Sequence, residues 1–183
     1  MRYIVATDGS EESDEAIRYV TRLFLPAASL DSMLDTGEPA PDFDLEGTDG
    51  TGAGAYRLSA AAQQAPVLVA FYTADFEPRC RAYLEALRDT DWASLTDAIA
   101  VFGVAPGTLD DHRAFAADLA LPFPLLVDHA GIDAQFGVQR ADGSTHRSAF
   151  LVDGRCRVRF VWTDDGGATV PDVAPIRDAV RSL

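Results

Sequence analysis

The sequence predicts an α/β protein, a central mixed sheet flanked by helices, with a βα extension at its N-terminus. Three observations carry this. Short continuous apolar runs, above all Val67-Leu-Val-Ala-Phe-Tyr-Thr73, have the length and composition of buried strands. They alternate with segments of helical spacing, and the chain closes on a hairpin followed by a helix. With 183 residues, 48% of them hydrophobic, there is room for one well-packed core and a short extension, not for two enzymatic domains.

Taken in order, Tyr3 to Val20 reads as a strand, a turn at Asp8-Gly9-Ser10 and an acid-started helix, with Asp8 initiating that helix. From Pro26 to Ala55 the composition shifts to Pro, Gly, Ala, Ser and Asp, as expected of a linker. The boundary is set at 1–32 for the extension and 33–183 for the main domain, and Met33 is a candidate start for the latter. Gly50-Thr-Gly-Ala-Gly54 is expected to be a turn and not a phosphate loop, for want of a preceding strand and a following helix start. Val67–Thr73 is a central strand. From Pro78 a helix places Cys80, Leu84 and Leu87 on one stripe and ends near Asp89-Thr-Asp91. Ile99–Ala105 is a second buried strand, closed by Pro106-Gly107; a helix from Leu109 to Leu119 carries Phe115 and Leu119 on one face. Leu125-Leu-Val-Asp128 is a third strand and Ile132–Phe136 a short helix. Ser148–Val152 and Cys156–Thr163 form a hairpin around Asp153-Gly154, and Val173–Leu183 is a terminal helix.

The formal charge of −14 argues against nucleic acid or an anionic membrane surface as a partner, because phosphates would be repelled. All 15 basic residues are arginine. A lysine-free chain with an Asp-rich excess is expected to be adapted to concentrated salt, where a Debye length of roughly 3 Å at 1 M lets neighbouring carboxylates coexist. Dialysis into dilute buffer should then unfold it, and an unchanged circular dichroism spectrum would refute the salt adaptation. No apolar run approaches the length of a membrane span and the N-terminus lacks the pattern of a signal peptide, so a cytoplasmic location is expected. In a reducing compartment Cys80 and Cys156 are expected to be catalytic or buried, not bridged.

Cys80 follows a strand and sits just inside a helix that starts at Pro78, where backbone N–H groups favour an anion and lower a thiol's pKa below about 8.5. The segment Phe71-Tyr-Thr-Ala-Asp-Phe-Glu-Pro-Arg-Cys80 resembles the active-site loop of the peroxiredoxins, in the bacterioferritin-comigratory and alkyl hydroperoxide reductase branch. Gly37-Glu-Pro-Ala-Pro-Asp-Phe-Asp-Leu45 is similar to that family's N-terminal signature, and the likeness covers about residues 37–163. The resemblance implies a thioredoxin-like fold and a thiol-dependent peroxidase. Cys80 would be the nucleophile, and Arg147, in His146-Arg-Ser-Ala-Phe-Leu-Val-Asp153, would stabilise the thiolate and the departing oxygen. Three positions depart from the family pattern: Thr73 replaces the shielding proline, Glu77 replaces the hydroxyl residue, and Tyr83 stands where a glutamate is common.

Glu77 is expected to oppose thiol ionisation unless Arg79 or Arg81 holds it in a surface pair, and Thr73 is a candidate replacement hydroxyl donor. Cys156 alternates with Val158, Phe160 and Trp162, which predicts burial on their face and no resolving role. Glu85 occupies the position of another resolving cysteine. A one-cysteine cycle follows, in which hydrogen peroxide or an alkyl hydroperoxide oxidises Cys80 and an external thiol reductant restores it. No cofactor or metal is called for; His112, His129 and His146 lack ligand spacing, though His146 adjoins Arg147. A homodimer is implied by the resemblance alone. The competing reading is a non-catalytic redoxin-fold protein with an inert Cys80 that binds a partner or senses stress. It draws on the first 25 residues, which resemble the opening strand and helix of a universal stress protein. That family's late glycine-rich nucleotide-binding stretch has no counterpart here, so its ATP binding does not transfer.

Overall fold

The computed structural model describes residues 33–164 and 170–183, so the expected βα extension and its boundary at 32 lie outside the described residues. Seven strands form one mixed sheet: β1 (Asp44–Thr48), β2 (Ala53–Arg57), β3 (Val67–Phe71), β4 (Ala100–Ala105), β5 (Leu125–Val127), β6 (Ser148–Val152) and β7 (Val158–Thr163), ordered β2-β1-β5-β4-β3-β6-β7. β3, β4 and β5 run parallel; β1, β6 and β7 pair antiparallel to their neighbours. The helices are α1 (Leu58–Ala62), α2 (Pro78–Arg88), α3 (Leu109–Leu119), α4 (Ile132–Gln135) and α5 (Ala174–Arg181).

The period-two pattern of β3 divides the core. Leu68, Ala70 and Tyr72 face one layer with Leu84, Leu87, Phe115, Leu119 and Ile176 of α2, α3 and α5. Val67, Val69 and Phe71 face the other with Leu58, Ile132 and Phe136, around α1 and α4. Both faces of the central strands are covered, which is why β3 reads as an unbroken apolar run. Truncating a fully buried residue such as Leu87 or Leu119 to alanine would cost about 2–5 kcal/mol.

Two expectations are corrected. The supposed linker from Pro26 to Ala55 contains β1 and most of β2, paired from Asp44↔Arg57 to Thr48↔Ala53. Its small residues serve close packing, since a Cβ on Gly47 would lie 2.3 Å from Leu126 Cδ2 on the adjacent β5. Of the run Gly50–Gly54 expected to be a turn, only Gly50 to Gly52 turn, with the Asp49 carboxylate accepting from Thr51 N–H and Gly52 N–H, while Ala53 and Gly54 belong to β2. The turn does follow a strand, contrary to the sequence argument. The second correction concerns Cys156, which is not in β7 but in the turn before it, at φ +54°. A register shift at Leu151/Val152 then breaks the alternation. Phe160 and Trp162 pack in the layer of α2, whereas half-buried Cys156 and Val158 pack in the opposite one.

Candidate active site

Helix α2 begins where the sequence says it should, because Pro78 fills the first helical position with its φ preset and no N–H to satisfy. Glu77 is the N-cap, and its Oε2 accepts from Cys80 N–H at 2.7 Å. The spacing Cys80, Tyr83, Leu84, Leu87 turns the thiol inward with the apolar stripe, and Cys80 is completely buried.

Arg147 precedes β6, which pairs with β3, so the sheet carries it to the base of α2. Its Nη1 lies 3.6 Å from the same Glu77 oxygen that caps Cys80. Its Nε and Nη2 reach Asp164 Oδ2 at 2.7 and 2.6 Å. Arg147 also senses the Cys80 sulfur, after burial and the stronger influence of Asp164; the net effect holds the guanidinium above its ordinary pKa. The cysteine and the arginine, 67 positions apart, thus meet across one carboxylate. Arg81 instead engages Asp118 and Glu85, so neither it nor Arg79 forms the surface pair with Glu77 that the sequence allowed.

The electrostatics oppose an easily formed thiolate. Burial pushes the Cys80 thiol above its ordinary value, and the Glu77 carboxylate adds to this; the backbone N–H groups of Ala74 and Thr73 pull the other way. The expectation of a thiol well below 8.5 is therefore corrected, while the expected opposition of Glu77 stands. Partial burial works against ionisation of Glu77. Even so, the Cys80 thiol, the Cys80 and Arg79 backbone N–H groups and Arg147 hold its carboxyl below the usual range. The Thr73 hydroxyl donates to Thr145 C=O at 2.9 Å, so Thr73 offers the sulfur its backbone N–H and not the hydroxyl foreseen from sequence.

An open recess of about 370 Å³ gives access, lined by Thr73, Glu77, Arg79, Arg140, His146, Arg147 and Asp164. It gathers three arginines in a chain of net charge −14. A larger recess of about 600 Å³, lined by Pro66, Leu151 and Leu183, lies at the opposite end of β3 and β6 and carries no thiol. No role at the site was expected of Arg140, or of Asp164, which the sequence places in a turn with Asp165, Gly166 and Gly167. Asp164 stands opposite Arg147 only through the observed β6–β7 register, one step beyond Ser148↔Thr163.

Because Glu77 is the main removable charge beside the sulfur, Glu77→Gln should keep the cap and ease ionisation. A carboxylate near a thiolate costs roughly 3 kcal/mol at an effective dielectric of 20, and exposure reduces this to about one pKa unit. With the folded thiol titrating high, reactivity rises with pH. The variant's profile should move about one unit toward acid, with roughly tenfold faster alkylation at pH 7. An unmoved profile would clear Glu77 of that role.

The chain is similar to known proteins of one family. The AhpC/TSA family model matches residues 36–161. Peroxiredoxin Bcp of Bacillus subtilis is 32% identical over 141 residues, covering 70% of this chain and 85% of its own length. Chloroplastic peroxiredoxin Q of Populus jackii is 30% identical over 152 residues, covering 79% and 70%. Among solved structures, peroxidoxin BcpB of Mycobacterium tuberculosis superposes with a TM-score of 0.71 at 26% identity, over 83% of this chain and 99% of that one.

Proposed function

Because the chain belongs to the AhpC/TSA family of peroxiredoxins and is a thiol-dependent peroxidase, we propose that Cys80 is its reacting sulfur and Arg147 the cation facing the departing oxygen. Glu77 restrains ionisation of the thiol, and the Thr73 backbone helps cradle the sulfur. The observation that carries this reading is the convergence on Glu77 Oε2, which accepts from Cys80 N–H at 2.7 Å and lies 3.6 Å from Arg147 Nη1.

The thiolate of Cys80 attacks one oxygen of ROOH, where R is hydrogen or alkyl. An S–O bond forms, the O–O bond breaks, and the departing RO⁻ accepts a hydrogen bond from Arg147 and then a proton from water. Cys80 is left as sulfenic acid and ROH leaves. An external thiol R′SH attacks that sulfur, releasing water and forming a mixed disulfide, and a second R′SH restores Cys80 with release of R′SSR′. The one-cysteine form of the cycle is supported by the placement of Cys156 in the opposite layer of the core and of Glu85 on α2.

A cytoplasmic location, a homodimer and adaptation to concentrated salt belong to the same reading. The first accords with the described residues, of which no helix is long and apolar enough to cross a membrane; the last rests on the charge of −14. Trapping tests the core of it. Reduced protein mixed with one equivalent of hydrogen peroxide and a sulfenic-acid reagent should carry the label at Cys80 by peptide mass spectrometry; a label confined to Cys156, or none, would overturn it.

A further inference from the structure

We infer that Asp75 and His112 are positioning residues for the reacting thiol: with the Tyr72 hydroxyl, they hold the loop between β3 and α2 against Cys80. The inference rests on Cys80 being the reacting sulfur and extends it to a cluster the reaction itself does not touch.

The cluster is buried and fully bonded. His112 is completely buried on α3, and its Nε2 faces two backbone oxygens, Ala105 O at 3.3 Å and Leu126 O at 3.2 Å. Both are acceptors, so Nε2 carries hydrogen. Its Nδ1 lies 2.6 Å from Asp75 Oδ2, a separation that places a proton between nitrogen and oxygen, and Asp75 Oδ1 accepts from the Tyr72 hydroxyl at 2.8 Å. The Asp75 side chain is 7% exposed. One loop residue is therefore tied to the end of β3 and to a helix 37 positions further along the chain.

Few other groups could hold the loop. Thr73 Oγ1 fastens one side to Thr145 O, and Glu77 fastens the other to α2. Between them lies Phe76 at φ +60°, half exposed, a left-handed conformation disfavoured for a bulky residue. Asp75 sits just before this strained point. The loop supplies the backbone N–H groups of Thr73 and Ala74 that face the sulfur, so its position decides whether those donors are aimed. Space above the pair is also reserved: Gly107 has φ +152°, and a Cβ there would lie 3.0 Å from His112 Cε1. Cys80 itself is faced by Glu77, Arg147, Tyr72 and Tyr83, none of which the substitutions at 75 or 112 remove.

Asp75→Ala and His112→Ala remove the two ends of one contact, a carboxyl and an imidazole. A direct electrostatic effect would differ between the two; a positioning effect moves the Cys80 titration toward alkaline pH in both. The thiolate absorbance of each variant, in a Cys156→Ser background, should titrate higher than the parent, with peroxide reduction at pH 7 slowed about tenfold. Tyr72→Phe, which leaves the packing and the charges in place, should shift the same way by about twofold. Asp75→Asn, which keeps an acceptor, should recover part of the loss. Val158→Ala in the opposite layer should lower the melting temperature without moving the titration. Unmoved titrations in Tyr72→Phe and in either alanine variant, or opposite shifts in the two alanine variants, would overturn the inference. Peroxide reduction surviving Cys80→Ser would instead overturn the assignment of the reacting sulfur.

Discussion

Cys80→Ser is expected to abolish peroxide reduction, a loss of roughly a thousandfold or more, while Cys156→Ser stays within about twofold of the parent. The serine keeps the backbone N–H that Glu77 caps and can donate to the same carboxylate, so α2 should begin as before. What it lacks is a polarisable atom that ionises within reach of neutral pH. Cys156 is a poor substitute. Burial and the nearby Asp42 and Asp153 push its thiol up. Stopped-flow mixing of each reduced variant with hydrogen peroxide measures this directly. Equal rates for Cys80→Ser and the parent would show that the chemistry lies elsewhere.

Arg147→Met should reduce the second-order rate with peroxide about a hundredfold to a thousandfold, the range for loss of a preorganised donor at a developing oxyanion. It should also destabilise the fold. The side chains of Arg147 and Asp164 are 11% and 5% exposed, and removing one partner of such a buried pair costs about 3 kcal/mol, roughly 10 °C in melting temperature for a chain of this size. Glu77 would lose its neighbouring cation while keeping its place at the sulfur. The thiol, already high, would rise further, and the rate at pH 7 would fall as the profile moved toward alkali. Arg147→Lys retains charge without the planar fork and should fall between. A Met variant within threefold of the parent rate would remove Arg147 from the reaction.

The α/β architecture was legible because its central strands are apolar on both faces, so no tertiary detail was needed to recognise Val67–Phe71 or the helices after it. The β1–β2 hairpin was not, since Gly, Ala and Asp in a short edge ribbon have the composition of a linker; only the closeness of Gly47 to β5 explains those small residues. At the site, Cys80, Glu77 and Arg147 were readable from a strand, a proline-started helix and the family pattern. Asp164 was hidden for a geometric reason. A tight turn at Asp153-Gly154 pairs the strands in one register, whereas the observed turn runs through Cys156 and the register then shifts, which alone sets Asp164 against Arg147. The raised thiol was half legible: the carboxylate was visible in the sequence, the complete burial was not.

Tyr83, three residues after Cys80, stacks on Trp162 with ring centroids 5.3 Å apart, and its hydroxyl donates to Ser148 O at 3.1 Å. It acts as a bolt through the first turns of the helix into the sheet. An oxidised sulfur held on such a helix has little freedom to swing out toward a bulky donor, since unwinding would tear an aromatic ring from its stack. A reductant is therefore expected to meet the sulfur where it lies, through the recess beside Arg147, without drawing it out of the fold.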